Sequence, residues 1–132
     1  MAIVVSLDTN VILRFLLDDI PEQTKIASYT IDSSKVYVTD VVIVECIYVM
    51  EKVIGLSRQD ITKLIVNFLG FSNVVHNLYF LEEVIQFYEQ HPSLSIVDCY
   101  AATESKAYNN QLVTFDKTLA NQGGKHVTSL LN

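Results

Sequence analysis

The sequence predicts an α/β fold built on a parallel sheet, and three observations point that way. Helix and strand signals alternate along the 132 residues, with no internal repeat, low-complexity tract or Pro/Gly/Ser linker, as expected of one domain over residues 1–132. Ile3–Leu7 is a continuous apolar run, the pattern of a strand covered on both faces. Two strand-like runs, Ile3–Leu7 and Gln111–Phe115, each end on a lone aspartate, Asp8 or Asp116, followed by a helix-like segment. In an open parallel sheet the carboxyl ends of the strands share one edge, and ligands bind in the crevice there.

The elements follow in order. After the first strand, Asn10–Leu17 reads as a short helix broken by Asp18-Asp19. Pro21 suits a first helical position and opens a helix to about Ile31. Val36–Thr39 is short and β-branched, a second strand. Asp40 is expected to cap a helix running to about Ile54, which Gly55 terminates. Ser57 with Asp60 resembles a capping box and opens a helix to about Leu69. Val74–His76 is a brief strand. Leu78–Gln90 is a helix with Leu81, Val84, Ile85 and Tyr88 on one face, ended by Pro92. Ser95 opens a helix to about Tyr108, and Asn109-Asn110 turns the chain into the strand Gln111–Phe115. A short helix from Lys117, the turn Gly123-Gly124 and a strand near Val127 complete the order.

Half of the residues are hydrophobic, so a packed core is expected and disorder is not. No apolar run approaches the ~18 residues of a membrane span. Met1-Ala2-Ile3 carries no basic stretch ahead of its apolar run, so no signal peptide is expected and a cytoplasmic location is. Cys46 and Cys99 lack C-x-x-C spacing and read as small buried residues packed beside Glu45 and Asp98. The formal net charge of −6 disfavours generic nucleic-acid binding, unless cations cancel some of the acids.

Four acids stand out: Asp8 and Asp116 at strand ends, and Glu45 and Asp98 in apolar surroundings. Each has a structural alternative. Asp8 and Asp116 can cap the helices that follow them, and Asp98 fits the third helical position of a capping box begun by Ser95. Glu45, within Val41–Met50, is the hardest to explain this way, because a carboxylate facing a core is expensive unless paired or bound to metal. Four converging carboxylates would repel one another unless divalent cations held them. Hard oxygen ligands without His or Cys favour Mg²⁺ or Mn²⁺ over zinc. The pattern therefore points to a metal-dependent hydrolase, with Thr9, Asn10 and Thr114 placed to orient carboxylates. His76, His91 and His126 are scattered without the i, i+4 spacing of a zinc helix, and no P-loop, dinucleotide or nucleophile-elbow motif is present.

With the four acids in that order, the chain resembles the PIN-domain ribonucleases, especially the toxin subunits of VapBC-type toxin–antitoxin pairs. Leu7-Asp8-Thr9-Asn10-Val11 looks like that family's opening, and Thr39 with Glu45 like its second motif. Ile96-Val97-Asp98-Cys99-Tyr100-Ala101-Ala102 resembles the third, and Val113-Thr114-Phe115-Asp116 the fourth. Cys99, and Tyr108-Asn109-Asn110 in place of a glycine turn, depart from the pattern. The resemblance implies one PIN-like domain over residues 1–132, a central parallel sheet sandwiched by helices in three α/β/α layers, and Mg²⁺ or Mn²⁺ as cofactor. It further implies RNA as substrate, a homodimer, and a small antitoxin that plugs the acidic groove; no membrane association is expected, because the apolar runs are too short. Two other classes stay open: a catalytically silent PIN-like module that binds RNA or protein, and a Mg²⁺-dependent phosphoacceptor domain. The second needs a paired acid at the first strand, where Asp8 stands alone.

Overall fold

A computed structural model describes residues 3–77 and 79–131. The α/β class with parallel strands is the one observed. The chain forms two compact units, Met1–Leu78 and Tyr79–Asn132.

The first unit runs β1 (Val4–Ser6), α1 (Thr9–Leu17), α2 (Pro21–Ser33), β2 (Lys35–Tyr37), α3 (Asp40–Tyr48), a π-helical extension Val49–Ile54, α4 (Arg58–Leu69) and β3 (Val74–Val75). Its three strands pair in parallel in the order β1-β2-β3, with Ser6 opposite Tyr37 and Tyr37 opposite Val75. Parallel neighbours need crossovers, which the helices provide. Ile12, Ile31, Val36, Ile43, Ile61 and Ile65 are fully buried. Phe15, Phe68 and Phe71 pack edge-to-face or tilted, with centroids about 6 Å apart.

Local signals placed several boundaries as expected. Pro21 begins α2, and Asp18 closes α1 with a left-handed backbone at φ 50°. Ser57 caps α4 by accepting the Asp60 N–H at 3.1 Å.

Three expectations need correction. β1 is not covered on both faces: Val4 and Ser6, which share one face, are both exposed, Val4 by 56%. Thr39, not Asp40, caps α3, because its extended backbone lets Oγ1 accept the Val42 N–H while Asp40 is already the first helical residue. The α-helix ends at Tyr48 and widens into a π turn, in which the N–H groups of Gly55 and Leu56 both reach Met50 O. The buried stripe Ile43, Cys46, Ile47, Met50 has α spacing, and the wider turn takes Val53 and Ile54 out of its phase and leaves them exposed.

The second unit runs α5 (Leu81–Gln90), α6 (Ile96–Ala107), β4 (Leu112–Thr114), α7 (Lys117–Gln122) and β5 (Val127–Ser129), with β4 and β5 parallel. Of the expected helix Leu78–Gln90, residue 78 lies outside the described residues, and the helix begins at Leu81. Its stripe Leu81, Val84, Ile85, Tyr88 is buried. Asn109 adopts the left-handed turn, at φ 56°. The α7–β5 turn requires glycines for two reasons. A Cβ on Gly123 would lie 2.6 Å from Val127 Cγ2 and 2.7 Å from Leu119 O, and Gly124 has φ +98°.

Candidate active site

The ladder of the first unit continues past its strands, since Leu7 N–H donates to Tyr37 O at 3.1 Å and Val38 N–H to Val75 O at 3.0 Å. The residues that follow at its carboxyl edge are Asp8, Thr39 and His76. Asp8 has extended backbone and caps α1, Oδ1 accepting the Val11 N–H at 3.1 Å. That capping role was the structural alternative for Asp8, and it occupies one carboxylate oxygen.

Glu45 is where the structure departs most from the sequence reading. It is exposed on α3, on a stripe with Val41 and Tyr48, opposite the buried Ile43, Cys46 and Ile47. Its isolation in apolar sequence arises because α3 is apolar on its exposed face as well, so the carboxylate is not forced into a core. It is nonetheless held: the Thr9 hydroxyl, at the first position of α1, donates to Glu45 Oε1. This bond joins α1 to α3 beside Asp8.

Cys46 lies beneath the pair. It is fully buried, and its Sγ donates to Thr9 O at 3.8 Å. Burial first, then the negative charge of Glu45 and then that of Asp8, pushes the Cys46 thiol from its ordinary 9.0 up to about 12. Both carboxylates therefore act on the same buried atom. Asp8 and Glu45 offer hard oxygen donors at this edge.

Asn10 lies one residue beyond Thr9, where it lines a groove of about 310 Å³ with Leu7, Arg14, Ile26 and Thr30. His76, set aside in the sequence reading, sits at the end of β3 with Nδ1 buried and without a hydrogen-bond partner among the described residues. Only its position one residue past a strand could have flagged it.

In the second unit Asp116 repeats the construction of Asp8. It caps α7, Oδ1 accepting the Leu119 N–H at 3.0 Å, and its own N–H donates to Thr114 Oγ1 at 2.9 Å. Asp98 is at the third position of α6, and its N–H donates to Ser95 Oγ at 3.0 Å. The reciprocal bond of a capping box, from Ser95 N–H to the Asp98 carboxylate, is absent among the described residues. An Asp is one methylene shorter than the usual Glu, which explains the half-made box. Among the described residues, no three His, Cys, Asp or Glu side chains are grouped as a ready metal cage.

The family model for the PIN domain matches residues 5–125, which include all four acids. The chain belongs to the PIN-domain family. This is a nuclease-type fold, usually metal-dependent, whose members act on RNA or DNA. No significant match is found among curated proteins or solved structures. Among the described residues no helix is long and apolar enough to cross a membrane.

Proposed function

We propose that this PIN-domain protein is a Mg²⁺- or Mn²⁺-dependent endoribonuclease, and that residues 1–132 work as one domain. The observation that carries the reading is the continuous family match over residues 5–125. Within it, Asp8, Glu45, Asp98 and Asp116 are the residues we assign to hold the metal. The donor chemistry fits such an ion: four carboxylates, with hydroxyls of Thr9 and Thr114 bonded to or beside them.

When bound, a divalent cation supplies Lewis acidity at a phosphodiester oxygen. The residues of the chain prepare for it. The cap to Val11 N–H holds the Asp8 carboxylate in one orientation, and the cap to Leu119 N–H does the same for Asp116. Thr9 orients Glu45 by donating to it. Ser95 closes the start of α6 with its own hydroxyl, which leaves the Asp98 carboxylate available to a ligand. Thr9, Asn10 and Thr114 are positioning residues in this reading.

The family resemblance supports a toxin role as half of a homodimeric toxin–antitoxin complex. A small antitoxin would insert a basic side chain among the acids, where a charge-assisted Arg–carboxylate contact fixes register. The decisive experiment is cleavage of RNA by purified protein in Mg²⁺ or Mn²⁺, stopped by EDTA. Cleavage that persists in metal-free buffer overturns the metal assignment.

A further inference from the structure

The second unit contains a cavity of about 400 Å³ that none of the four acids lines. Its walls are one stripe of α5, one face of α6, and the turn before β5. Its volume falls within the roughly 300–1,000 Å³ of small-ligand pockets.

The chemistry of the walls is selective. The sequence after residue 78 holds three Lys and no Arg, and two of the three, Lys106 and Lys125, line this cavity together with His126. Concentrating scarce cations in one concavity of an acidic chain marks it for an anion. The α5 stripe adds the ring of Phe87 and the amides of Gln86 and Gln90. His91, which does not line the cavity, stacks on Phe87 with centroids 3.9 Å apart and so stiffens that wall. A flat aromatic surface, two amides able to both donate and accept, and a pair of ammonium groups are the parts that a base and its phosphate require.

Glu83 also lines the cavity and pairs with Lys106 at 3.6 Å. Both side chains are at least half exposed, 51% and 65%, so the pair is weak and Lys106 can exchange the carboxylate for a phosphate. The lysine on the turn is placed by the glycines. Gly123 lets the chain pass tightly over Leu119 O and Val127, and Gly124 reverses it with φ +98°, bringing Lys125 to the rim.

We propose that this cavity seats one nucleotide of a single-stranded RNA, with the base against Phe87, its edge bonded by Gln86 and Gln90, and its phosphate on Lys106 and Lys125. The inference rests on the ribonuclease reading, for which it supplies a substrate-holding subsite apart from the acids.

The test is fluorescence anisotropy of a short labelled single-stranded RNA binding to the full chain in EDTA, where no cleavage complicates the reading. Lys125 is exposed, so Lys125→Gln folds, as a thermal melt verifies. It should weaken binding and flatten the dependence of log K on log salt by about 0.7, the loss of one phosphate contact on a single strand. Phe87→Leu should weaken binding about fivefold or more by removing base stacking. Glu83→Gln should tighten binding by freeing Lys106, so the proposal still stands or falls if Phe87→Leu is unstable. Adenosine monophosphate as competitor should bind more weakly than the RNA. Equal affinity for the mononucleotide, or unchanged RNA affinity in both Lys125→Gln and Glu83→Gln, overturns the proposal. Wild-type cleavage with Mg²⁺, assayed in parallel, separates the two readings. Cleavage with cavity-independent binding sinks the subsite alone, whereas cavity-dependent binding without cleavage supports the subsite and sinks the nuclease.

Discussion

Asp8 is asked to do two things, and they can be pulled apart by substitution. Its Oδ1 caps α1 through the Val11 N–H at 3.1 Å, and its charge is assigned to the metal. Asn is as good an N-cap as Asp, whereas Ala is not. Asp8→Ala should therefore lose about 0.5–2 kcal/mol of stability from the cap. Asp8→Asn should retain the capping bond and lose only the interaction of a negative charge with the start of α1, about 0.3–1 kcal/mol at an exposed helix end. For a chain of this length the difference is about 3–5 °C in melting temperature per kcal/mol. Catalysis should order the variants differently. Both lose the anionic ligand, so both should lose Mg²⁺-dependent RNA cleavage, and both should lose part of the thermal stabilisation that Mg²⁺ gives wild type by mass action. Melts in EDTA and in Mg²⁺, alongside a cleavage assay, read both effects. An Asp8→Asn protein that cleaves like wild type would reduce Asp8 to a cap. One as unstable as Asp8→Ala would show that the cap does not explain its structural part.

The same logic extends to other positions. Because the Asp98 carboxylate makes no reach-back bond, Asp98→Asn should abolish cleavage while changing metal-free stability by less than about 1 kcal/mol; equal destabilisation with and without Mg²⁺, with cleavage intact, would sink its catalytic assignment. Gly123→Ala places a Cβ 2.6 Å from Val127 Cγ2 and 2.7 Å from Leu119 O, and should cost about 1–3 kcal/mol in urea unfolding, as overpacking does. Cys46, buried and with its thiol raised to about 12, stays protonated at pH 8, so iodoacetamide should modify it only on unfolding; rapid alkylation of the native protein, read by mass spectrometry, would show that its burial is wrong.

The sequence by itself determined the α/β class, the element order, and most helix starts. These rest on interactions that close within a few residues: Pro21 at a first helical position, Ser57 and Ser95 bonding the N–H three residues on, and Asn109 and Gly55 in left-handed turns. The capping roles of Asp8 and Asp116 were legible for the same reason, since each stands directly before a helix start and accepts an N–H three residues on.

What the sequence could not determine depends on residues brought together from far along the chain. Whether Thr39 or Asp40 caps α3 turns on the backbone angle at which β2 releases the chain. The solvation of Glu45 is not legible in sequence, because periodicity cannot tell which of two apolar helix faces is buried, and the packing of α1 against α3 decides that. The Thr9–Glu45 bond spans 36 residues, and the raised thiol of Cys46 comes from burial first and then from the charges of Glu45 and Asp8, the latter from another element. The cavity beside Phe87 is invisible in sequence, because its lysines come from α6 and from the turn before β5 and line one space only when α5 closes the third wall. Local hydrogen bonds are written in neighbouring residues, whereas burial and shared electrostatics belong to the fold.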